Sequence, residues 1–151
     1  NLELKIRNPK STRPWQFVLE PLSGYLSLAE HLTKKGTING EPFNFGPNNY
    51  DKTVSQLIKA VSKNLLELKI KIVKNNKQSF KESSLLKLNC EKAKRLIKWQ
   101  SALNFEQTAN LTSQWYYDFY TKKHDTYNLS LNAINKYTKI AKDKGIIWAK
   151  K

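Results

Sequence analysis

Residues 8–25, NPKSTRPWQFVLEPLSGY, constrain the fold of this chain more than any other stretch. Pro9 and Pro14 break regular structure, so the segment opens as a loop. Pro21 then fits the first turn of a helix, where a missing N–H costs little. Around it Val18, Leu22, Tyr25, Leu26, Ala29 and Leu32 recur at i, i+4, i+7, i+8, i+11 and i+14. This is the apolar stripe of an amphipathic helix over about 18–34, with Gly36 placed to end it. Before the loop, Leu2, Leu4 and Ile6 alternate with Glu3, Lys5 and Arg7, the pattern of a half-buried strand. The chain therefore begins strand–loop–helix, and the loop carries Arg13 to the helix start.

Composition narrows the class. The 151 residues are 39% hydrophobic and 11% aromatic, which fits one globular domain over 1–151 with its own core. No apolar run approaches the ~20 residues of a membrane span, so no membrane association is expected. A lone Cys90 excludes an internal disulfide and fits a reducing, cytoplasmic compartment. Cys90 itself reads as a small buried hydrophobe. His31 and His124 lie far apart without a ligand cluster, so no metal site is expected. The formal charge of +15 is carried almost wholly by lysines spread along the chain, which reads as solvated surface and predicts no nucleic-acid partner. A basic nucleic-acid-binding module stays as the rival class. With Asn1 first and no Met, the chain is expected to be part of a longer product.

The rest of the chain alternates between the two periodicities. Pro42–Phe45 reads as a short strand stopped by Gly46-Pro47. Thr53 and Gln56 have capping-box spacing before a helix stripe of Val54, Leu57, Ile58, Val61 and Leu65. Leu68–Val73 alternates as a strand, residues 75–81 form a polar loop, and Leu85–Leu88 is a short apolar strand. Asn89 can cap a short helix with Cys90, Ala93, Leu96 and Ile97. Asn104 and Gln107 start another, whose buried face is Phe105, Ala109, Thr112, Trp115, Tyr116 and Phe119. A final helix over about 130–142 shows Leu131, Ile134, Tyr137 and Ala141. The sum is a mixed α/β or α+β architecture.

No catalytic constellation is visible. The glycines at 24, 36, 40, 46 and 145 make no phosphate loop, and no tyrosine has a lysine four residues later. No Ser/His/Asp arrangement is present, and the carboxylates are unpaired in sequence. The chain therefore reads as a binding domain. Arg13 is one of three arginines, and a guanidinium beside a helix start can grip a phosphate or diphosphate. Trp15 and Gln16 can pack against and hydrogen-bond a base or sugar. Asn44 lies between Phe43 and Phe45; if both rings face the core, its amide points the other way. Glu82 can accept from an amino or hydroxyl group. Each has a plain structural alternative: surface ion pair, packing, turn cap and solvated charge respectively.

These residues carry a resemblance. NPKSTRPWQFVLEPLSGYLSLAEHL (8–32), FNFGP (43–47), LLKLNCEKAKRLIKW (85–99) and TANLTSQWYYDFY (108–120) resemble, in order, the C-terminal part of the CDP-glucose 4,6-dehydratase family. That family belongs to the extended short-chain dehydrogenase/reductase group of nucleotide-sugar enzymes. The resemblance implies the substrate-binding lobe and last strands of a Rossmann-type fold. It also implies a CDP-sugar substrate and an NAD cofactor bound by an N-terminal half absent from this chain, and an oligomeric parent enzyme. The family reaction oxidises C4 of the glucose unit, eliminates water across C5–C6 and returns hydride to C6, in a route to surface polysaccharides. No catalytic or cofactor-binding residue is expected within this chain, and an apolar face that packs on the NAD-binding half is expected to lie exposed. Another nucleotide-sugar epimerase or dehydratase remains the alternative.

By the same resemblance, Arg13 matches the arginine that contacts the diphosphate, and Ile6 with Arg7 the strand segment flanking the base. Asn44 matches the asparagine of an Asn-x-Gly block near the nucleotide, and Glu82 falls in the segment that closes over it. Phe17 stands where the family carries His, and Asn89 where it carries Asp.

Overall fold

Two short strands far apart in sequence pair in parallel, which requires a long crossover between them. In the computed structural model, which describes residues 3–48, 51–65, 69–73, 86–122 and 125–150, β1 is Glu3–Ile6 and β2 is Lys69–Ile72. Their register sets Glu3 opposite Lys69, Leu4 opposite Ile70 and Ile6 opposite Ile72. The crossover contains helices α1 (Leu19–Lys35) and α2 (Val54–Val61). After β2 come α3 (Glu91–Leu96), α4 (Phe105–Lys122), α5 (Thr126–Asp143) and a 3-10 turn at Ile147–Ala149. The architecture is mixed α/β, mostly helical, with one small parallel sheet among the described residues.

Local signals explain most boundaries. Gly36 closes α1 at φ 62°, its N–H returned to the Leu32 carbonyl. Thr53 and Gln56 exchange both bonds of a capping box at the start of α2. The Asn89 side chain takes the Glu91 N–H at 2.9 Å, and Asp125 caps α5, which starts earlier than its apolar spacing indicates. Three expectations fail. Residues 42–45 form no strand, because nothing in the described chain pairs with them; the phenyl rings of Phe43 and Phe45 hold the segment instead. The described part of 85–88 is not a strand for the same reason, and α2 ends at Val61, before Leu65. Leu2, Leu68, Leu85, His124 and the 75–81 loop lie outside the described residues.

The core has two clusters. Phe17, Ala102, Leu103, Leu111, Tyr137, Ala141 and Ile146 form one; Phe45, Ala93 and Trp99 form the other, and Trp148 packs against both. Helix α1 presents to this core a face that apolar periodicity does not mark. Its buried positions are Glu20, Ser23 and Gly24, one helical surface of polar and small residues. Gly24 is there because the Phe45 ring lies against it; a Cβ would meet Phe45 Cδ1 at 2.4 Å. The apolar stripe points outward, with Val18 62% and Leu26 73% exposed, and Leu22 and Tyr25 also exposed. Tyr116 of α4 and Leu131 and Ile134 of α5, expected inside, are likewise exposed.

Candidate functional site

The loop from Asn8 to Gln16 is shaped by backbone bonds to the start of α2. Ser55 N–H donates to the Pro9 carbonyl at 3.0 Å and Val54 N–H to the Ser11 carbonyl at 2.9 Å. Thr12 and Thr53 add an antiparallel bridge. These carbonyls satisfy N–H groups that a helix start leaves open. Trp15 N–H bonds back to the Arg13 carbonyl at 2.9 Å, a tight turn before α1, and the indole Nε1 donates to the Lys52 carbonyl at 3.0 Å. Gln16 Nε2 donates to the Phe45 carbonyl at 3.1 Å. That bond ties 13–16 to 43–47, the two blocks singled out in the sequence.

Within this arrangement each candidate has a definite place. Arg13 is half-buried, and its Nη1 donates to the Thr12 carbonyl at 2.7 Å. Asn44 is exposed, as its flanking rings require, and its Nδ2 donates to the Asn89 carbonyl at 3.3 Å. It borders a polar hollow of about 360 Å³ with Asn89, Lys92 and Arg95. There Lys92 lies over the Phe43 ring and pairs with Glu41, whose carboxyl it holds below the ordinary range. Ile6 is buried in β1 and its carbonyl accepts from Val73 N–H at 2.9 Å; Arg7 is exposed just beyond it. Glu82 lies outside the described residues.

Three hollows border the candidate residues. Trp15 borders a cavity of about 320 Å³ with Ser101, Phe105 and Lys144. Gln16 borders an apolar groove of about 490 Å³ between α1, α4 and α5, beside Val18, Trp115 and Ile134; its Oε1 is buried without a hydrogen-bond partner. Asn44 borders the polar hollow. Hydrogen bonding thus brings Gln16 and the Asn44 block together, while Arg13 lines none of these three hollows and shares none with Asn44.

Sequence reasoning missed the group that organises the interior. Glu20 is 1% exposed. Its carboxylate accepts the N–H groups of Ala102 (3.0 Å) and Leu103 (2.7 Å), and the Tyr137 hydroxyl lies 3.0 Å from Oε2. Ser23 Oγ accepts from the Trp99 indole at 2.9 Å. Burial pushes the Glu20 carboxyl up; the two N–H groups and Tyr137 act against that. Burial and the neighbouring carboxylate hold Tyr137 far above its ordinary range, so it stays a donor. A carboxylate inside a Leu-rich helix leaves no trace in apolar spacing; its partners sit 82 and 117 residues away.

No protein-family model matches the chain. Over 116 residues it is 34% identical to the CDP-glucose 4,6-dehydratase of Salmonella typhimurium. The chain is similar to a nucleotide-sugar dehydratase. The match covers 77% of this chain and 32% of that enzyme, so the chain spans about a third of its relative's length. No helix among the described residues is long and apolar enough to cross a membrane, and no cluster of three or more His, Cys, Asp or Glu residues among them could hold a metal.

Proposed function

We propose that this chain is the nucleotide-sugar-binding portion of a CDP-glucose 4,6-dehydratase, which converts CDP-glucose to CDP-4-keto-6-deoxyglucose and water. The similarity over 116 residues carries the reading. The bond from Gln16 to Phe45, which sets Trp15-Gln16 beside the Asn44 block, supports it from the geometry. In this reading Arg13 holds the diphosphate through charge-assisted bonds, and Trp15 and Gln16 meet the base or sugar. Asn44 bonds the nucleotide, Ile6 and Arg7 flank the base, and Glu82 closes over it.

The residues present do not fit the dinucleotide cofactor. The connection from β1 to α1 contains Pro9 and Pro14 and no glycine, so it offers no backbone cradle for a pyrophosphate. NAD belongs, in this reading, to a part of the enzyme outside the chain. The outward stripe of Val18, Leu22, Tyr25 and Leu26 is then the face on which that part packs.

Titration of the chain with CDP, UDP, GDP and dTDP tests the proposal. Preferential binding of CDP is expected. Binding of another nucleotide in preference assigns a different nucleotide-sugar epimerase or dehydratase. Absence of nucleotide binding, with DNA or RNA bound at a log–log salt slope of several units, returns the chain to the basic-module class.

A further inference from the structure

A tight surface turn links α1 to the 42–47 segment. Glu41 N–H donates to the Ile38 carbonyl at 3.2 Å and closes the turn over 38–41. Gly40, its third residue, has φ 78°, while Asn39 does not take a positive φ. This is the type II form, which demands a positive φ at that place and so favours Gly. Ile38 is buried and pins one end; Asn39 and Gly40 are exposed. Among the described residues, neither the Asn39 side chain nor the Gly40 N–H takes part in a hydrogen bond. A Cβ built on Gly40 would meet no other atom within 4 Å.

Asn followed by Gly has a chemistry of its own. The next backbone nitrogen can close a five-membered ring on the side-chain carbonyl carbon, and glycine has no Cβ to hinder that approach. Asn39-Gly40 is the one Asn-Gly pair in the sequence. Here no hydrogen bond restrains either reacting group. The ring needs a rotation about the Asn39 backbone. One backbone bond at the surface closes the turn, so that rotation opens nothing in the core.

We infer that Asn39 is a site of spontaneous deamidation, converted through a succinimide to aspartyl and isoaspartyl forms. The Gly40 nitrogen gives its proton to a solvent base and bonds to Asn39 Cγ. The Cγ–Nδ2 bond breaks, and that nitrogen leaves as ammonia. Water then opens the ring. Cleavage at Cγ restores a normal backbone with an aspartyl side chain. Cleavage at the Asn39 carbonyl carbon routes the chain through Cγ and adds one backbone atom. One water is consumed and one ammonia released, with no change of oxidation state. The longer isoaspartyl link shifts Glu41 relative to Ile38. Glu41 transmits that shift, because it pairs with Lys92 at 2.6 Å and Lys92 lies 4.9 Å from the centre of the Phe43 ring. The inference does not depend on the dehydratase reading.

The test is ageing of the native chain in mildly alkaline buffer, followed by proteolysis and mass spectrometry. The peptide holding Asn39 should gain the mass of one deamidation, in two chromatographic forms, one of them labelled by isoaspartyl methyltransferase. Conversion should quicken as pH rises, since the attacking nitrogen must lose its proton. Asn39→Gln should remove the gain and Gly40→Ala should slow it severalfold, with the amide spectrum of each variant confirming the fold. In the ¹⁵N-labelled chain the isoaspartyl form should shift the Phe43 and Lys92 amides. Asn39→Asp, which adds the charge without the extra atom, should leave those two in place. If Asn39 stays intact in the native chain but converts in urea, the fold protects the pair and the inference fails. It fails equally if the aspartyl form alone appears, because direct hydrolysis needs no succinimide. Unmoved Phe43 and Lys92 amides in the isoaspartyl form would overturn the transmission through Glu41.

Discussion

Replacing Glu20 by Ala should destabilise the protein more than any other exchange of a polar residue for Ala. The carboxylate takes two backbone N–H groups and faces the Tyr137 hydroxyl, all inside the core. Truncation leaves two buried N–H groups unpaired, at about 1–3 kcal/mol each, and Tyr137 with only Ser23 Oγ at 3.1 Å, partly relieved by water entering the space. The net loss is about 3–5 kcal/mol. For a domain of this size that lowers Tm by roughly 10–15 °C. Glu20→Gln keeps the volume but turns an amide toward N–H donors, and should cost about 2 kcal/mol. Urea unfolding followed by Trp fluorescence reads both, because Trp99 shares Ser23 with this network. The sign of the pH dependence follows from burial. A folded carboxyl lifted above its unfolded value makes the native state bind more protons between the two values. The contribution is fully present below the unfolded value and is lost as pH rises through the folded one. Glu20→Gln should flatten that slope. A loss under about 1 kcal/mol in Glu20→Ala would refute the assignment of this carboxylate as the organiser of the interior.

Other consequences are local. Gly24→Ala forces a methyl into the Phe45 ring, at 2.4 Å from Cδ1, and should cost about 1–3 kcal/mol in urea unfolding with a changed near-ultraviolet spectrum, since Phe45 packs edge-on against Trp99. Lys98 holds φ at 57° just before the buried Trp99, so Lys98→Gly should raise stability by about 1 kcal/mol, measured as an increased urea midpoint. Leu22→Lys with Leu26→Lys alters only the outward face of α1; stability should stay within about 0.5 kcal/mol while solubility of the chain rises, seen as less light scattering at equal concentration.

Elements whose signals are local were legible in the sequence. The Thr53–Gln56 and Asn104–Gln107 boxes and the Gly36 cap each depend on a few adjacent residues, and each was found. Orientation was not legible where it depends on distant partners. The inward face of α1 is set by Glu20, Ser23 and Gly24 meeting residues 45, 99, 102, 103 and 137, so its apolar stripe marks the outside. Residues 42–45 have strand composition but no strand partner among the described residues, and the rings decide their path. Of the candidate site, the adjacency of Gln16 and Asn44 depends on a side-chain bond to a carbonyl 29 residues away.

Calorimetric titration of the chain with CDP-glucose, beside Arg13→Ala, bears most directly on the proposed role. Loss of a charge-assisted pair to the diphosphate should weaken Kd by roughly 10–100-fold, with Arg13→Lys recovering only part. Equal affinity in the wild-type chain and Arg13→Ala would contradict the account, because the nucleotide would then be held without the guanidinium on which the reading turns.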